Sequence, residues 1–204
     1  KAVAELVRLF NINPLWLYGE SEQKHLNGQI SSTIPKVVTV NPSGNENIVM
    51  VNQQASAGYP DNIGDTEWYG SLPAMDVPLP ELRNATYRAF QVKGDSMLPV
   101  FQPGQWVIAK AVEDLESIKP TRFYVVSTLD SLLLKQVKTI ESDMVNLISI
   151  NQEYEPLQVY ANEIRELWEV SHFLGEVDTL KNVEIGLSLL EIKADLKEIK
   201  KLVR

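Results

Sequence analysis

Seven short apolar segments separated by turn residues run along the middle of this chain. They are NIVMVN at 47–52, YRAFQVK at 87–93, QWVIAK at 105–110, FYVVST at 123–128, LLLKQVKTI at 132–140, MVNLISI at 144–150 and IRELWEVSHFLG at 164–175. Runs of this length bounded by Gly, Pro, Asn or Asp are typical of β-strands. The pattern predicts a mainly β body over residues 48–175, built as a curled sheet or partial barrel.

The first twenty residues have a different pattern, which predicts two short helices. Apolar residues recur at helical spacing in 1–10, and the segment 13–19 has an Asn-Pro start and a Gly19 stop. The stretch LVRLFNINPLWLYGE at 6–20 resembles the last two helices of a phage-repressor type of helix-turn-helix domain. We therefore interpret residues 1–20 as the C-terminal remnant of a DNA-binding domain. In that family the helix that reads DNA bases lies upstream of this pair.

Two further segments flank the predicted β body. Residues 21–47 are polar and interrupted by Gly and Pro, which indicates an interdomain linker. Residues 176–204 are predicted to form a C-terminal helix with an apolar residue every three or four positions. These positions are Ile185, Leu189, Ile192, Leu196, Ile199 and Val203. The spacing fits a coiled coil, and it fits equally a terminal helix that lies on its own domain.

Composition narrows the classes of function. The chain has 204 residues, 44% of them hydrophobic, and no cysteine, so disulfides, thiolate catalysis and Cys-ligated zinc are excluded. We expect neither a metal nor a cofactor. No apolar run approaches the roughly 18 residues that span a bilayer, and no signal-peptide pattern opens the sequence. We therefore expect a cytoplasmic protein.

The net charge of −8 opposes a nucleic-acid-binding role for most of the chain. The sequence begins at Lys1 and lacks an initial Met, which suggests that it starts inside a longer protein. Any surface that contacts operator DNA is expected to belong to the missing upstream part.

The segment FQVKGDSMLPVFQPG at 90–104 carries the strongest chemical signal. A strand is expected to end at Gly94-Asp95 and to present Ser96 on a bend, where the backbone N–H groups of Ser96 and Met97 could bind an oxyanion. On composition alone, a polar turn is the commoner interpretation of such a segment.

A nucleophilic serine needs a base, and imidazole is scarce. His25 falls in the linker and His172 in the last strand, so a Ser-His-Asp triad is not favoured. Lys135 is the alternative, because it shares a strand face with Leu133 and Val137, and burial lowers the pKa of a lysine. The alternative for Lys135 is a strand-end lysine that reaches solvent. Lys93 and Lys138 are better explained as solvated side chains.

Taken in order, these motifs resemble the self-cleaving family of LexA, UmuD and lambda repressor over roughly residues 48–175. The matching segments are GDSM at 94–97 followed by Pro99, PGQWVIA at 103–109, YVVS at 124–127 and LLLKQV at 132–137. The resemblance implies a serine peptidase with a Ser/Lys dyad that acts on its own chain. Ser96 would be the nucleophile and Lys135 its base.

The same family cuts itself at an Ala-Gly pair in a loop upstream of the serine, which corresponds here to Ala57-Gly58. The resemblance implies a transcriptional repressor of the SOS-response type. Its C-terminal domain dimerises, or forms a higher oligomer, and its self-cleavage relieves repression with the RecA filament as a possible co-protease. The sequence departs from the family at Gln136, where a basic residue is common, and in the long connection 63–87.

Three other interpretations remain. The first is a non-cleaving transcriptional regulator whose β domain only oligomerises. The second is an enzyme similar to signal peptidase, which the lack of an apolar spanning segment disfavours. The third, a small coiled-coil adaptor, explains the tail but leaves the order of Ala57-Gly58, Ser96 and Lys135 to chance.

Overall fold

A computed structural model describes residues 16, 18, 19, 33–141 and 144–176 of the chain. The chain divides after Leu174 into two units, 1–174 and 175–204, and the fold described below is that of the first. Most of the two predicted N-terminal helices and nearly all of the predicted C-terminal helix lie outside the described residues. Of residues 13–19, Trp16 is helical, and the N–H of Gly19 donates to the carbonyl of Trp16 at 3.0 Å.

Within the described ranges, nine strands form one open, mixed sheet in the order β2-β1-β3-β4-β9-β5-β6-β7-β8. Neighbouring strands are antiparallel except β1 and β3, which are parallel. The strands are β1 (Ile48–Val51), β2 (Ala74–Met75), β3 (Tyr87–Gln91), β4 (Trp106–Ala111), β5 (Phe123–Ser127), β6 (Leu132–Glu141), β7 (Met144–Ile148), β8 (Leu157–Tyr160) and β9 (Glu166–Leu174).

The predicted mainly β fold is confirmed, and each of the seven apolar segments matches one of these strands to within two residues at either end. In β4, Val107 and Ala109 join one buried cluster and Ile108 joins another, as the alternation of side chains along a strand requires. The strands that the sequence did not predict are β2 and β8. They are short, and they lie at the two edges of the sheet, where burial does not impose an apolar pattern.

Two six-residue helices and three 3-10 turns lie in the described connections between these strands. Helix α1 (Gln53–Gly58) begins at Asn52, whose side chain accepts from the N–H of Ala55 at 2.8 Å. Helix α2 (Thr66–Ser71) begins at Asp65, whose carboxylate accepts from two N–H groups of the first turn. The 3-10 turns are Pro80–Leu82, Leu115–Ser117 and Ala161–Glu163. The long connection 63–87 is therefore an ordered part of the domain.

The described part of the predicted linker, residues 33–47, packs on the sheet. Thr33, Pro35 and Val37 are buried while Ile34 and Lys36 are exposed. The N–H of Thr33 donates to the carbonyl of Glu113 at 3.2 Å. This alternation is that of a strand lying against a core, although the segment forms no ladder.

No helix among the described residues is long and apolar enough to cross a membrane.

A buried ion pair lies at the centre of the domain. Arg88 of β3 contacts Glu166 of β9 at 3.3 Å, and both side chains are at most 2% exposed. The Arg88 guanidinium stacks on the rings of Trp168 and Tyr69, 4.4 and 4.5 Å from their centroids, and donates to the hydroxyl of Tyr69. It also donates to the carbonyl of Val37 at 2.8 Å. One ion pair therefore joins β3, β9, α2 and the N-terminal segment.

Arg88→Met should lower the free energy of unfolding by about 3–5 kcal/mol, because it leaves the Glu166 carboxylate buried without its cation. Arg83→Met is the matched control. It breaks an ion pair of 2.8 Å with Asp76 that is exposed to water, and should cost at most about 1 kcal/mol. Urea unfolding of both variants measures the difference, and equal losses would contradict this account of the core.

Candidate active site

A cleft of about 160 Å³ lies beside the turn that follows β3. Its walls are mostly apolar, and its polar groups include the two side chains that the sequence singled out as nucleophile and base. The lining residues are Ser56, Phe90, Gln91, Val92, Lys93, Ser96, Met97, Val107, Val125, Leu132, Leu133, Leu134 and Lys135. Ser96 and Lys135, 39 positions apart in the sequence, thus share one cleft.

The turn that carries Ser96 is fixed at both ends. It begins with Gly94, whose φ of 72° is in the left-handed region that glycine adopts without strain. The N–H of Leu98 donates to the carbonyl of Asp95 at 3.0 Å, and buried Met97 anchors the turn in the core. Ser96 itself is half-buried at the cleft. The expected bend at Gly94-Asp95 is present.

Two backbone N–H groups of this turn donate no backbone hydrogen bond within the described residues. Within the described residues, its backbone hydrogen bonds are donated by Leu98, Val100 and Phe101, and none by Ser96 or Met97. A pair of N–H groups beside a serine hydroxyl is the kind of donor set that stabilises an oxyanion. The assignment of Ser96 and Met97 as oxyanion donors stays a prediction.

Lys135 reaches the cleft from β6. The neighbouring Leu132, Leu133 and Leu134 line the same space, and desolvation by this burial lowers the pKa of the Lys135 amine from its ordinary value. A lowered pKa leaves more of the amine neutral near physiological pH, and only the neutral form can accept a proton. Lys138 and Lys93 are exposed, as expected for solvated lysines.

The lysine does not bond directly to the serine in this structure. The Nζ of Lys135 donates to the Oγ of Ser149 at 2.8 Å, and no hydrogen bond joins it to Ser96 among the described contacts. Proton transfer would therefore require Lys135 or Ser96 to move from its position in this structure, and catalytic hydrogen bonds often form only when substrate is bound. Among the described residues, no imidazole lines the cleft. His172 is exposed and its Nδ1 lies 3.0 Å from the Oγ of Ser171, while His25 lies outside the described residues.

The Ala57-Gly58 pair ends helix α1, whereas the family resemblance implied a loop. The physical reason is local: Asn52 caps the helix, and the Gln53 side chain donates to the carbonyl of Val92 at 2.9 Å. Ser56, one residue before the pair, lines the cleft, while Ala57 is exposed. The pair thus lies next to the cleft but in a helical conformation.

Gly58 needs no special backbone conformation in this helix. An added Cβ would lie 3.4 Å from the Nδ2 of Asn62, an ordinary contact, and the φ of Gly58 is not positive. The resting structure therefore gives no steric reason for glycine at this position.

The residue after the pair is fixed in the core. Tyr59 is fully buried, and its hydroxyl donates to Glu166 and accepts from Arg88. Burial raises the pKa of Tyr59 well above that of a free tyrosine, opposed by the charge of Arg88, so the phenol keeps its proton. The candidate cleavage segment is thereby tied to the central ion pair.

Sequence analysis missed a second group of polar residues at the site. These are Ser149, Asn151 and Tyr154, which follow β7 and contact Lys135 or the Ser96 turn. Their signal was weak, because a polar segment after a predicted strand is typical of any loop. The buried Arg88 and Glu166 were missed as well, although each is a charged residue inside an apolar segment that was predicted to be a strand.

Nowhere in the described part of the chain do three His, Cys, Asp or Glu side chains lie together in a way that could hold a metal ion. The polar groups of the cleft can instead supply a hydroxyl nucleophile, an amine and backbone donors.

Comparison with known proteins places this geometry in a family. A search of curated proteins gave no match. The family model described as Peptidase S24-like matches residues 49–171, which is more than half of the chain and includes α1, Ser96 and Lys135. Because one match spans the cleft and all three elements that meet there, the chain belongs to the Peptidase S24-like family, which includes the LexA, UmuD and repressor proteins that it resembles.

Proposed function

We propose that this protein is a self-cleaving repressor in which Ser96 attacks the bond between Ala57 and Gly58 with Lys135 as its base. The observation that supports this most is the shared cleft: Ser96, Lys135 and Ser56, the neighbour of the proposed cut, all line it. Membership of a peptidase family supports a catalytic role for this cleft.

The chemistry follows from the groups present. The neutral amine of Lys135 takes the proton of Ser96 as the Oγ bonds to the carbonyl carbon of Ala57, and backbone N–H groups of Ser96 and Met97 stabilise the oxyanion. The C–N bond to Gly58 then breaks, and the ammonium returns its proton to the departing amine. Water, activated by the same amine, releases the acyl group as the new carboxylate of Ala57.

Cleavage requires the end of α1 to unwind. The serine attacks a substrate backbone in an extended conformation, and Ala57 is helical in this structure. The resting structure therefore corresponds to a state with the cleavage segment undocked, and the rate depends on how often the docked state is populated. A partner that binds the docked state would accelerate the reaction. The family resemblance suggests the RecA filament for this role.

The biological output would be the loss of operator binding. Two tethered DNA-reading domains bind two half-sites far better than separate ones, so a cut between those domains and an oligomerising C-terminal domain weakens repression. Operator DNA, dimerisation and the RecA filament are parts of this proposal. In this proposal operator DNA is bound through the helix-turn-helix domain of which residues 1–20 are the predicted remnant.

A non-cleaving regulator is the second candidate. It is favoured by the absence of a Ser96–Lys135 hydrogen bond and by the anchored helix that holds Ala57-Gly58. In that case Ser96 and Lys135 have no catalytic role, and the β domain serves only to oligomerise. Measurement of self-cleavage separates the two candidates.

The rate of self-cleavage should rise with pH and level off below the pH expected for an ordinary lysine. Burial lowers the pKa of Lys135, so the neutral amine accumulates at a lower pH than in a free lysine. Intact mass followed over time between about pH 7 and pH 10.5 would show two fragments that meet at Ala57-Gly58. Ser96→Ala and Lys135→Ala are the controls and should remain intact. Fragments in either control would rule out the dyad, and an intact wild-type chain at every pH would favour the non-cleaving regulator.

Gly58→Ala should slow self-cleavage by about tenfold or more while leaving the fold intact. The extra methyl group meets only an ordinary contact in the resting helix, where alanine is favoured over glycine. In the docked state it must enter a narrow cleft. Gly70→Ala in α2, where an added Cβ meets nothing within 4 Å, is the matched control. Wild-type cleavage of Gly58→Ala would mean that the cut lies elsewhere.

Tyr59→Phe should accelerate self-cleavage between about twofold and tenfold, because it removes the hydroxyl that ties the cleavage segment to Arg88 and Glu166. Tyr69→Phe is a close control. It also removes a hydroxyl bonded to Arg88, at 3.0 Å, but lies in α2 and should leave the rate near that of the wild type. Mass measurements at one alkaline pH suffice. Equal rates for the two variants would show that the Tyr59 contact does not restrain docking.

A further inference from the structure

Ser149 lies opposite the candidate base. It directly follows β7, which is antiparallel to β6 and pairs with it through Gln136 and Ile148. The residue before Gln136 therefore lies opposite the residue after Ile148, which brings Lys135 and Ser149 together. The Nζ of Lys135 donates to the Oγ of Ser149 at 2.8 Å, and Ser149 is half-buried. This is the hydrogen bond that fixes the amine in the described structure.

The same segment also holds the turn of the candidate nucleophile. The N–H of Asn151 donates to the carbonyl of Ser96 at 3.0 Å, and its side-chain amide lies 3.4 Å from the carbonyl of Asp95. The hydroxyl of Tyr154 donates to the carboxylate of Asp95. Residues 149–154 thus bind the base through Ser149 and the nucleophile turn through Asn151 and Tyr154.

We propose that Ser149 is a positioning residue that orients the amine of Lys135 toward Ser96, within a clamp formed by residues 149–154. The inference rests on the proposed function and extends it. A neutral amine has two N–H groups and one lone pair. When the Ser149 hydroxyl accepts a hydrogen bond from one N–H, the lone pair can point in fewer directions. The clamp keeps Ser96 in one of those directions.

The protonated amine also gains from this contact. An ammonium N–H is a stronger donor than an amine N–H, so a hydroxyl acceptor stabilises the charged form and raises the pKa of the lysine. Other groups act on the same amine. The ring of Tyr154 lies 5.5 Å from Nζ, and the Tyr154 hydroxyl donates to the carboxylate of Asp95. Lys93 lines the same cleft, and Tyr124 is the β5 residue paired with Lys135. Ser149→Ala leaves all four in place.

The first experiment is the pH profile of self-cleavage for Ser149→Ala in the full chain. The plateau rate should fall by about tenfold to a hundredfold, because the amine loses its orientation. The midpoint of the profile should move to lower pH, because the ammonium loses an acceptor. Ser149→Thr, which keeps the hydroxyl, should restore both. Ser117→Ala, which removes an exposed hydroxyl bonded to Asp114, should change neither.

A rate and a midpoint equal to those of the wild type would overturn the proposal. A lower rate with an unchanged midpoint would also overturn it, because that is the result expected of a merely structural residue. If Ser149→Ala does not fold, Ser149→Val has nearly the shape of Ser149→Thr without its hydroxyl, and should show the lower rate and lower midpoint that Ser149→Thr does not.

The second experiment does not depend on cleavage. The Lys135 amine is titrated by NMR with labelled lysine in Ser96→Ala and in Ser96→Ala/Ser149→Ala. The pKa of Lys135 should be lower in the double variant. A lower pKa in the double variant, together with a wild-type chain that never cleaves, would support the positioning contact and reject the proposed function. An unchanged pKa in a chain whose wild type does cleave would reject the contact alone.

Discussion

A guanidinium and a carboxylate are costly to remove from water, yet Arg88 and Glu166 meet in the core with at most 2% of either side chain exposed. Their remaining hydrogen-bonding groups need partners, and those partners come from distant parts of the chain. The carbonyl of Val37, the hydroxyls of Tyr59 and Tyr69 and the indole N–H of Trp168 supply partners to Arg88 and to Glu166 Oε2. The buried Oε1 of Glu166 has no hydrogen-bond partner among the described residues. The sheet alone would not fix the positions of the N-terminal segment, α1 and α2, and the ion pair does so.

The candidate cleavage segment in α1 and the candidate catalytic residues Ser96 and Lys135 are held by different kinds of contact. The serine turn and Lys135 belong to the sheet and to the segment 149–154, where strand pairing and short hydrogen bonds hold them. Helix α1 has only two turns, and its stability depends on a cap at one end and on Tyr59 at the other. Short helices are marginal without such contacts. The element that would have to rearrange for self-cleavage is therefore a short helix that depends on contacts with its surroundings.

The sequence predicts the strands well, because each buried strand needs a continuous or alternating apolar run, and this requirement is local. The pairing of Ser96 with Lys135 could be proposed from motifs that resemble a known family. The two helices could not be predicted, since caps at Asn52 and Asp65 stabilise them and six residues show no helical period. Ser149 could not be identified either, because its importance arises only from the register between β6 and β7.

Strand β1 precedes the proposed cut and lies inside the sheet, paired with β2 on one side and with β3 on the other. Residues 33–37 add buried contacts on the same side of the cut. A break after Ala57 would therefore leave both pairings of β1 intact and would convert an internal strand into a bound peptide. Separation of the halves would then be a dissociation equilibrium. A nicked but assembled protein would form first, and dilution, competing partners or proteolysis would determine how soon the upstream part is lost.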